Sequence, residues 1–292
     1  MKPPPFEYHR PSSVAEVFDC LRTLDGEVKL LAGGQSLVPM LNFRLVRPDH
    51  LIDLNGLSDL DYVRASAEAV EIGALARHHR LAIDPQIAAT LPLLAQGAAS
   101  IGHYAIRQRG TLGGSLAHAD PAAQLPLLAV LLDAEILCRS RDGARKVPAG
   151  DFFQSIMTTA LEPGEVIVGV RFPRMPPHLG WGFELFSQRR GDFAVVAVGA
   201  LLSLNGDGRL SELRLAAGGI GATPVRFDDV TADFVGRQPD ESWLLVLADA
   251  VCAASEIEEN RIPVEFRREL LQALTRRAAE AAMQRARGGA RS

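Results

Sequence analysis

The sequence predicts an α+β fold in two parts, and three features of the chain support this. The residues up to Gly56 read as a β-α-β-like unit, with short apolar runs on either side of an amphipathic helix. A proline cluster, Phe172-Pro173-Arg174-Met175-Pro176-Pro177, breaks the pattern and reads as a domain boundary. Beyond it come long β-compatible runs and then a helical end, an order that fits α+β layering. At roughly 100–200 residues per domain, a chain of 292 residues has room for two.

In order along the chain, Ser13 and Glu16 have capping-box spacing, and Val14, Val17, Phe18 and Leu21 give the helical stripe behind them. Val28 to Leu31 reads as a strand feeding Ala32-Gly33-Gly34, and Leu51 to Leu54 as a second strand closed by Asn55-Gly56. Alternation over 62–76 predicts further strands. Helices are expected around 85–100 and 121–132, the latter with Asp120 as N-cap and Pro121 as first helical residue. Strands resume at 134–139 and 165–172. Asn205-Gly206-Asp207-Gly208 predicts a hairpin between Ala194–Leu204 and Leu213–Ala217. In the terminal helix Phe266, Leu270, Leu274, Ala278 and Ala282 form the apolar stripe, with Arg267, Arg268, Arg276 and Arg277 off it on a solvated or subunit-facing surface.

Composition excludes several classes. A net charge of −4 gives no reason to expect non-specific nucleic-acid or membrane attraction. No signal peptide is read at the N-terminus, and no apolar run approaches the ~20 residues of a membrane span; the expectation is a cytoplasmic protein. Cys20, Cys138 and Cys252 are scattered, and three thiols cannot supply the four ligands of an iron–sulfur cluster. They read as core thiols, and any such cluster belongs on another chain. His78-His79 and His118-x-Asp120 lack further ligands at useful spacing, so no metal ligand is expected. Trp181 and Trp243 read as core or interface aromatics.

Two glycine turns are the most informative feature. The first, Ala32-Gly33-Gly34-Gln35-Ser36-Leu37, follows a strand; the second runs from Gly110 through Thr111-Leu112-Gly113-Gly114-Ser115. Glycine lets the backbone turn tightly and approach a ligand closely, and consecutive amides can form a concave nest for phosphate oxygens. Ser36, Thr111 and Ser115 add hydroxyls. Neither turn fits the G-x-G-x-x-G or P-loop patterns, which disfavours a Rossmann dehydrogenase or an NTPase. The residues by themselves point to a phosphate-containing ligand. Arg107 and Arg109 precede the second turn and either face a phosphate or pair with acids at a subunit contact.

Both turns, in this order, resemble the FAD-binding subunit of the xanthine dehydrogenase and carbon monoxide dehydrogenase family. The likeness covers nearly the whole chain: Phe6 to Pro11, Lys29 to Pro39, Ile101-Gly102, Arg107 to Pro121, and Arg190-Gly191-Asp192-Phe193-Ala194. It implies a two-subdomain FAD-binding unit of the vanillyl-alcohol-oxidase (PCMH) type over residues 1–176, with subdomains of about 1–57 and 58–176. A smaller α+β C-terminal domain would occupy 177–292. It also implies that Lys29, Leu31, Ala32, Gly33, Gly34, Gln35, Ser36 and Leu37, with Ile101, Thr111, Leu112, Gly113, Gly114, Ser115, Gln124, Leu161 and Phe193, contact FAD. Three positions depart from the family pattern. Gln124 stands where an acidic residue is frequent, Leu185 where a lysine is common near the flavin, and Phe193 where the family often has tyrosine.

The same resemblance implies partners. A large subunit would carry molybdopterin-bound molybdenum and a small subunit two [2Fe-2S] clusters, assembled as a dimer of heterotrimers that delivers electrons to an external acceptor. This chain would then need no catalytic acid, base or nucleophile. A stand-alone flavin oxidase or reductase of the same fold, or a flavin-free scaffold subunit, are the competing readings.

Overall fold

The computed structural model describes residues 2–240 and 242–289. The described residues form three main sheets that follow one another along the chain, and a small two-stranded one of Phe153–Ser155 and Thr158–Thr159. The first is parallel, in the order Glu7–His9, His50–Asp53, Val28–Leu31. The helix Val14–Thr23 crosses from the first strand in sequence to the second and packs Val17 and Phe18 against Ile52 and Leu54. Ser13 is its N-cap as expected, its hydroxyl accepting from the Glu16 amide at 3.2 Å. The Glu16 carboxylate reaches Ser12 instead of closing the box on Ser13.

The second sheet has five antiparallel strands in the order Val63–Ala65, Ala69–Gly73, Val166–Pro173, Glu135–Arg139, Ala144–Pro148. The third is a four-stranded antiparallel sheet of Gly180–Phe186, Val196–Leu204, Leu210–Gly218 and Val225–Arg226, covered by the helix Val264–Gly289. The α+β expectation and the hairpin at 205–208 are borne out.

A single buried helix, Gln124–Leu131, joins the second and third sheets. All eight of its residues are buried, as expected for a helix with no polar face. The largest apolar cluster runs through it, from Ile72 and Val170 on one side to Phe183, Ala197, Leu201 and Ala216 on the other. The chain changes sheets near the proline cluster, but the core is continuous across that point.

Several elements differ from expectation. Asp120 does not cap this helix: its carboxylate accepts from Ala122 at 2.8 Å in a turn, and the helix begins only at Gln124 behind Ala123. Gly113 and Gly114 of the second turn are helical, within Leu112–His118; packing outweighs the roughly 1 kcal/mol cost of each helical glycine. In the terminal helix Leu274, Ala278 and Ala282 are buried as expected, but at its start the inner face carries Arg267 and Leu271 in place of Phe266. Arg267 is 2% exposed while Phe266 is 41% exposed. Buried Arg267 donates to the carbonyls of Gly219, at 3.1 Å, and Glu258. Those backbone acceptors account for an arginine on the inner face, which a stripe of apolar letters cannot reveal.

Glycine sets how closely the terminal helix approaches its sheet. A Cβ on Gly182 would lie 2.0 Å from the carbonyl oxygen of Ala278, a backbone atom that cannot step aside. Gly182→Ala is therefore expected to lower stability by about 1–3 kcal/mol, read as a fall in thermal midpoint. A variant that melts with the wild type would show that the helix can shift freely.

Candidate functional site

The two glycine turns meet. A Cβ on Gly33 would lie 2.3 Å from the Arg109 carbonyl oxygen and 2.8 Å from the Gly110 Cα. A Cβ on Gly114 would stand 3.5 Å from the Ala32 Cβ. The first turn thus lies directly on the segment that leads into the second. The need for glycine at 33 and 113 is different from the one the sequence suggests: added atoms would strike protein, Arg109 in one case and the Ala74 Cβ at 2.6 Å in the other. Gly34, at φ +69°, holds a left-handed conformation natural to glycine.

A cleft of about 490 Å³ opens beside this contact, lined by Leu31 through Gln35 with Asp53, Asn55, Arg77 and Arg109 among others. The amides of Gly33, Gly34, Gln35, Ser36 and Leu37 find no protein acceptor among the described residues. This row of free donors has the character of an anion nest. The second turn is different. Leu112 donates to the Ala76 carbonyl at 3.0 Å and Gly113 to Ala74 at 2.8 Å; Gly114 donates to the Thr111 hydroxyl at 3.2 Å and Ser115 to the Thr111 carbonyl at 3.0 Å. Its amides are spent on holding the helix start in place, so Ser115 offers a hydroxyl where a second row of amides was expected.

Three residues not singled out in the sequence complete the cleft. Arg77 donates to the Arg109 carbonyl and, at 2.7 Å, to Asn55 Oδ1. Asn55 donates in turn to the Ala32 carbonyl at 2.8 Å. Asp53 accepts from Tyr8 and from the Asn55 amide at 2.9 Å. Burial pushes the Asp53 carboxyl up, but these hydrogen bonds outweigh it and hold the group below its ordinary value. Burial lowers the Arg77 guanidinium, which still remains charged at neutral pH. With Arg109, for which facing a phosphate was one of two readings, it brings two cations to the cleft. Signals for these residues were weak: Asn55 read only as a strand terminator, and Arg77 sits 32 residues before its partner Arg109. Arg107 is tied to the carbonyls of Ile101 and Gly102 at 2.8 and 3.0 Å, away from this role.

The other expected contact residues do not line this cleft, although the amides of Ser36 and Leu37 continue the open row of the first turn. Lys29 pairs with Glu27 at 3.3 Å. Ser36 and Leu37 lead into the helix Leu37–Asn42. Ile101 and Leu161 are half-buried against the main core, as is Leu185 opposite Ala197, and Gln124 is buried at the start of the central helix. Phe193 is 56% exposed and borders a second cavity of about 540 Å³ with Asp120, Pro121, Ile156, Gly219 and Arg267. The helix Leu112–His118 starts at the glycine contact and ends beside Asp120; seven residues span about 10 Å. The two cavities therefore sit near opposite ends of one helix, an arrangement that suits a long ligand better than a single phosphate.

Comparison with known proteins decides the family. The family described as the FAD binding domain in molybdopterin dehydrogenase matches residues 4–175, and the CO dehydrogenase flavoprotein C-terminal domain matches 181–282. The chain belongs to the FAD-binding subunits of the molybdenum hydroxylases. It is 34% identical over 286 residues to the carbon monoxide dehydrogenase medium chain of Hydrogenophaga pseudoflava, covering 98% of this chain and 99% of that one. It is 42% identical over 226 residues to the 6-hydroxypseudooxynicotine dehydrogenase complex subunit alpha of Paenarthrobacter nicotinovorans, covering 77% and 76%. The fold matches a chain of quinoline 2-oxidoreductase from Pseudomonas putida 86 with a TM-score of 0.94 and 38% identity, over 98% and 99% of the two chains. As a member of this family the chain is an oxidoreductase subunit with FAD as its cofactor.

The free amides, the two arginines and the glycine contact fit the diphosphate of that cofactor. His78 supports them from behind. Its Nε2 lies 2.9 Å from the Thr111 carbonyl and must carry the proton, leaving a buried Nδ1 with no partner among the described residues. Its own amide donates to the Gly110 carbonyl at 2.9 Å. Burial lowers this imidazole to about 4, with the Thr111 bond opposing and Arg107 and Arg77 assisting.

The unfolded chain protonates His78 near 6.5 and the folded chain only near 4, so protonation favours unfolding. Stability is fully retained above pH 6.5 and falls as pH drops toward 4, by up to about 3 kcal/mol from this group. Denaturant titrations of wild type and His78→Gln over that range are expected to show the dependence reduced in the variant. Parallel curves would assign the pH effect to other groups.

Proposed function

We propose that this chain is the flavin relay of a heteromeric molybdenum hydroxylase. Electrons enter from [2Fe-2S] clusters on a small partner subunit, after oxidation of substrate at a molybdopterin centre on a large one, and leave to an external acceptor. The observation that carries this reading is the row of free amides in the first glycine turn, packed on the segment that opens the second and flanked by Arg77 and Arg109. Gly33 to Leu37, with Ser36 and Ser115, would bind the diphosphate, and Ile101, Leu161, Gln124 and Phe193 would serve the remainder of the cofactor. FAD, when bound, supplies a carrier that accepts electrons singly or in pairs. The chain's part is to orient it and to neutralise its phosphates.

The proposal extends to organisation. Residues 1–176 form the cofactor-binding domain and 177–292 the smaller domain that brings Phe193 to the second cavity. The assembly is a cytoplasmic dimer of heterotrimers. No helix among the described residues is long and apolar enough to cross a membrane, and the relatives named above include a medium chain and a complex subunit.

The Ser36→Ala/Ser115→Ala pair tests the site without touching the packing, because neither hydroxyl has a protein partner among the described residues. At about 1.5 kcal/mol or more per hydrogen bond to a charged group, each change is expected to weaken FAD binding roughly tenfold. The readout is flavin absorbance per chain after gel filtration. In the assembled complex, substrate should still reduce the iron–sulfur centres of the variant while turnover with the external acceptor falls with FAD content. Undiminished acceptor turnover in flavin-depleted complex would remove the relay role.

A further inference from the structure

The first sheet carries a cluster that the flavin site does not use. Glu7 and His9 leave the same face of one edge strand, and His50 leaves that face of the neighbouring parallel strand, opposite Glu7. Their ligand atoms converge. His9 Nε2 lies 3.1 Å from His50 Nδ1, Glu7 Oε2 lies 3.5 Å from His50 Nδ1, and the same oxygen lies 4.0 Å from His9 Nε2. Among the described residues this is the one group of three such side chains with metal-ligand spacing.

We propose that Glu7, His9 and His50 form a binding site for a divalent cation of the zinc type. A tetrahedral ion with bonds of about 2.0–2.2 Å to nitrogen and oxygen holds its donors about 3.3–3.6 Å apart. The three separations bracket that value, so small side-chain rotations suffice to seat the ion. The tautomer is already set. His50 Nε2 lies 2.9 Å from the Asp25 carbonyl and must donate to it, which turns the Nδ1 lone pair toward the other two ligands. A backbone carbonyl fixing the remote nitrogen of a ligating histidine is the usual outer support of such sites. In the metal-free form His9 Nε2–H bridges to that lone pair; the cation takes the place of this proton, which moves through solvent to His9 Nδ1, so that both imidazoles stay neutral. One carboxylate and two imidazoles make a three-ligand set with a fourth position open to water or a further ligand.

Sequence spacing hides this site because Glu7 and His9 are joined to His50 only by strand pairing. It sits at the start of the His50–Asp53 strand, while Asp53 at the other end faces the flavin cleft. Three residues of strand rise place the two about 10 Å apart. Metal occupancy would tie the edge strand to its neighbour.

The test is competition between the full-length, chelator-stripped flavoprotein and a chromogenic chelator for Zn²⁺. Wild type is expected to take up one equivalent that His9→Ala and Glu7→Ala bind at least tenfold more weakly. Both residues lie on an edge strand, and flavin content with thermal midpoint in the absence of metal confirms that the variants are folded. His79→Ala/His118→Ala serves as a control for other surface histidines and should bind like wild type. Zn²⁺ should also raise the thermal midpoint of wild type and not of His9→Ala, since a ligand of the native state stabilises it. Absence of a tight equivalent in wild type, equal binding in the His9 and Glu7 variants, or loss of binding in the control pair would each overturn the assignment and leave the cluster as a hydrogen-bonded histidine pair.

Discussion

The structure depends most on one close approach, that of Gly33 to the backbone of Arg109 and Gly110. It joins the parallel sheet to the five-stranded unit at the point where the cleft forms. Arg77 spans the same junction from the side, donating to the Arg109 carbonyl and to Asn55, which holds the Ala32 carbonyl. His78, its neighbour in sequence, holds Gly110 and Thr111 from the interior. Two consecutive residues thus fasten both turns, one through a charged group facing the cleft and one through a neutral group facing the core. Three of these four acceptors are main-chain carbonyls, of Arg109, Gly110 and Thr111, and the fourth is the Asn55 side chain.

The two turns consequently have different duties. The second is closed on itself, with amides 112 to 115 all bonded within the protein. The first leaves its amides open to the cleft. An unpaired amide facing water is nearly cost-free, whereas one facing a bound anion gains a charge-assisted hydrogen bond. A rigid turn beneath a donor-rich one is a preorganised arrangement: the ordering cost is met in folding and does not have to be met again on binding. The same logic recurs in the third sheet, where Gly180 and Gly182 let the terminal helix settle against bare backbone.

Much of this was legible in the sequence, and the parts that were not have physical reasons. The β-α-β start, the Ser13 cap and the 205–208 hairpin are set by local chemistry and were readable from a few residues. Glycine at 33 and 113 was readable as a requirement but not as to cause, because the neighbours that demand it, Arg109 and Ala74, are remote in sequence. The helix over Leu112–His118 runs against glycine's propensity and is fixed by tertiary bonds to Ala74 and Ala76. Arg267 was misplaced on a solvated face because a buried guanidinium whose terminal nitrogens donate to carbonyls leaves no mark in an apolar pattern. Asn55 and Arg77 escaped notice for a similar reason. Their roles exist only once strand and turn are brought together.

What the perturbed groups are doing bears on the kind of chemistry the chain performs. Asp53 is held ionised by Tyr8 and Asn55, His78 is held neutral by burial, and Arg77 is committed to Arg109 and Asn55. A general acid or base needs a proton it can surrender near the working pH and a clear path to substrate. His78 meets neither condition: its one proton is given to a carbonyl, and its free nitrogen points into the protein. Asp53 accepts from three donors belonging to two residues. Each of these shifts serves to lock the cleft into one shape and one charge state. A site built in this way is suited to holding a bound cofactor in one place and one charge state.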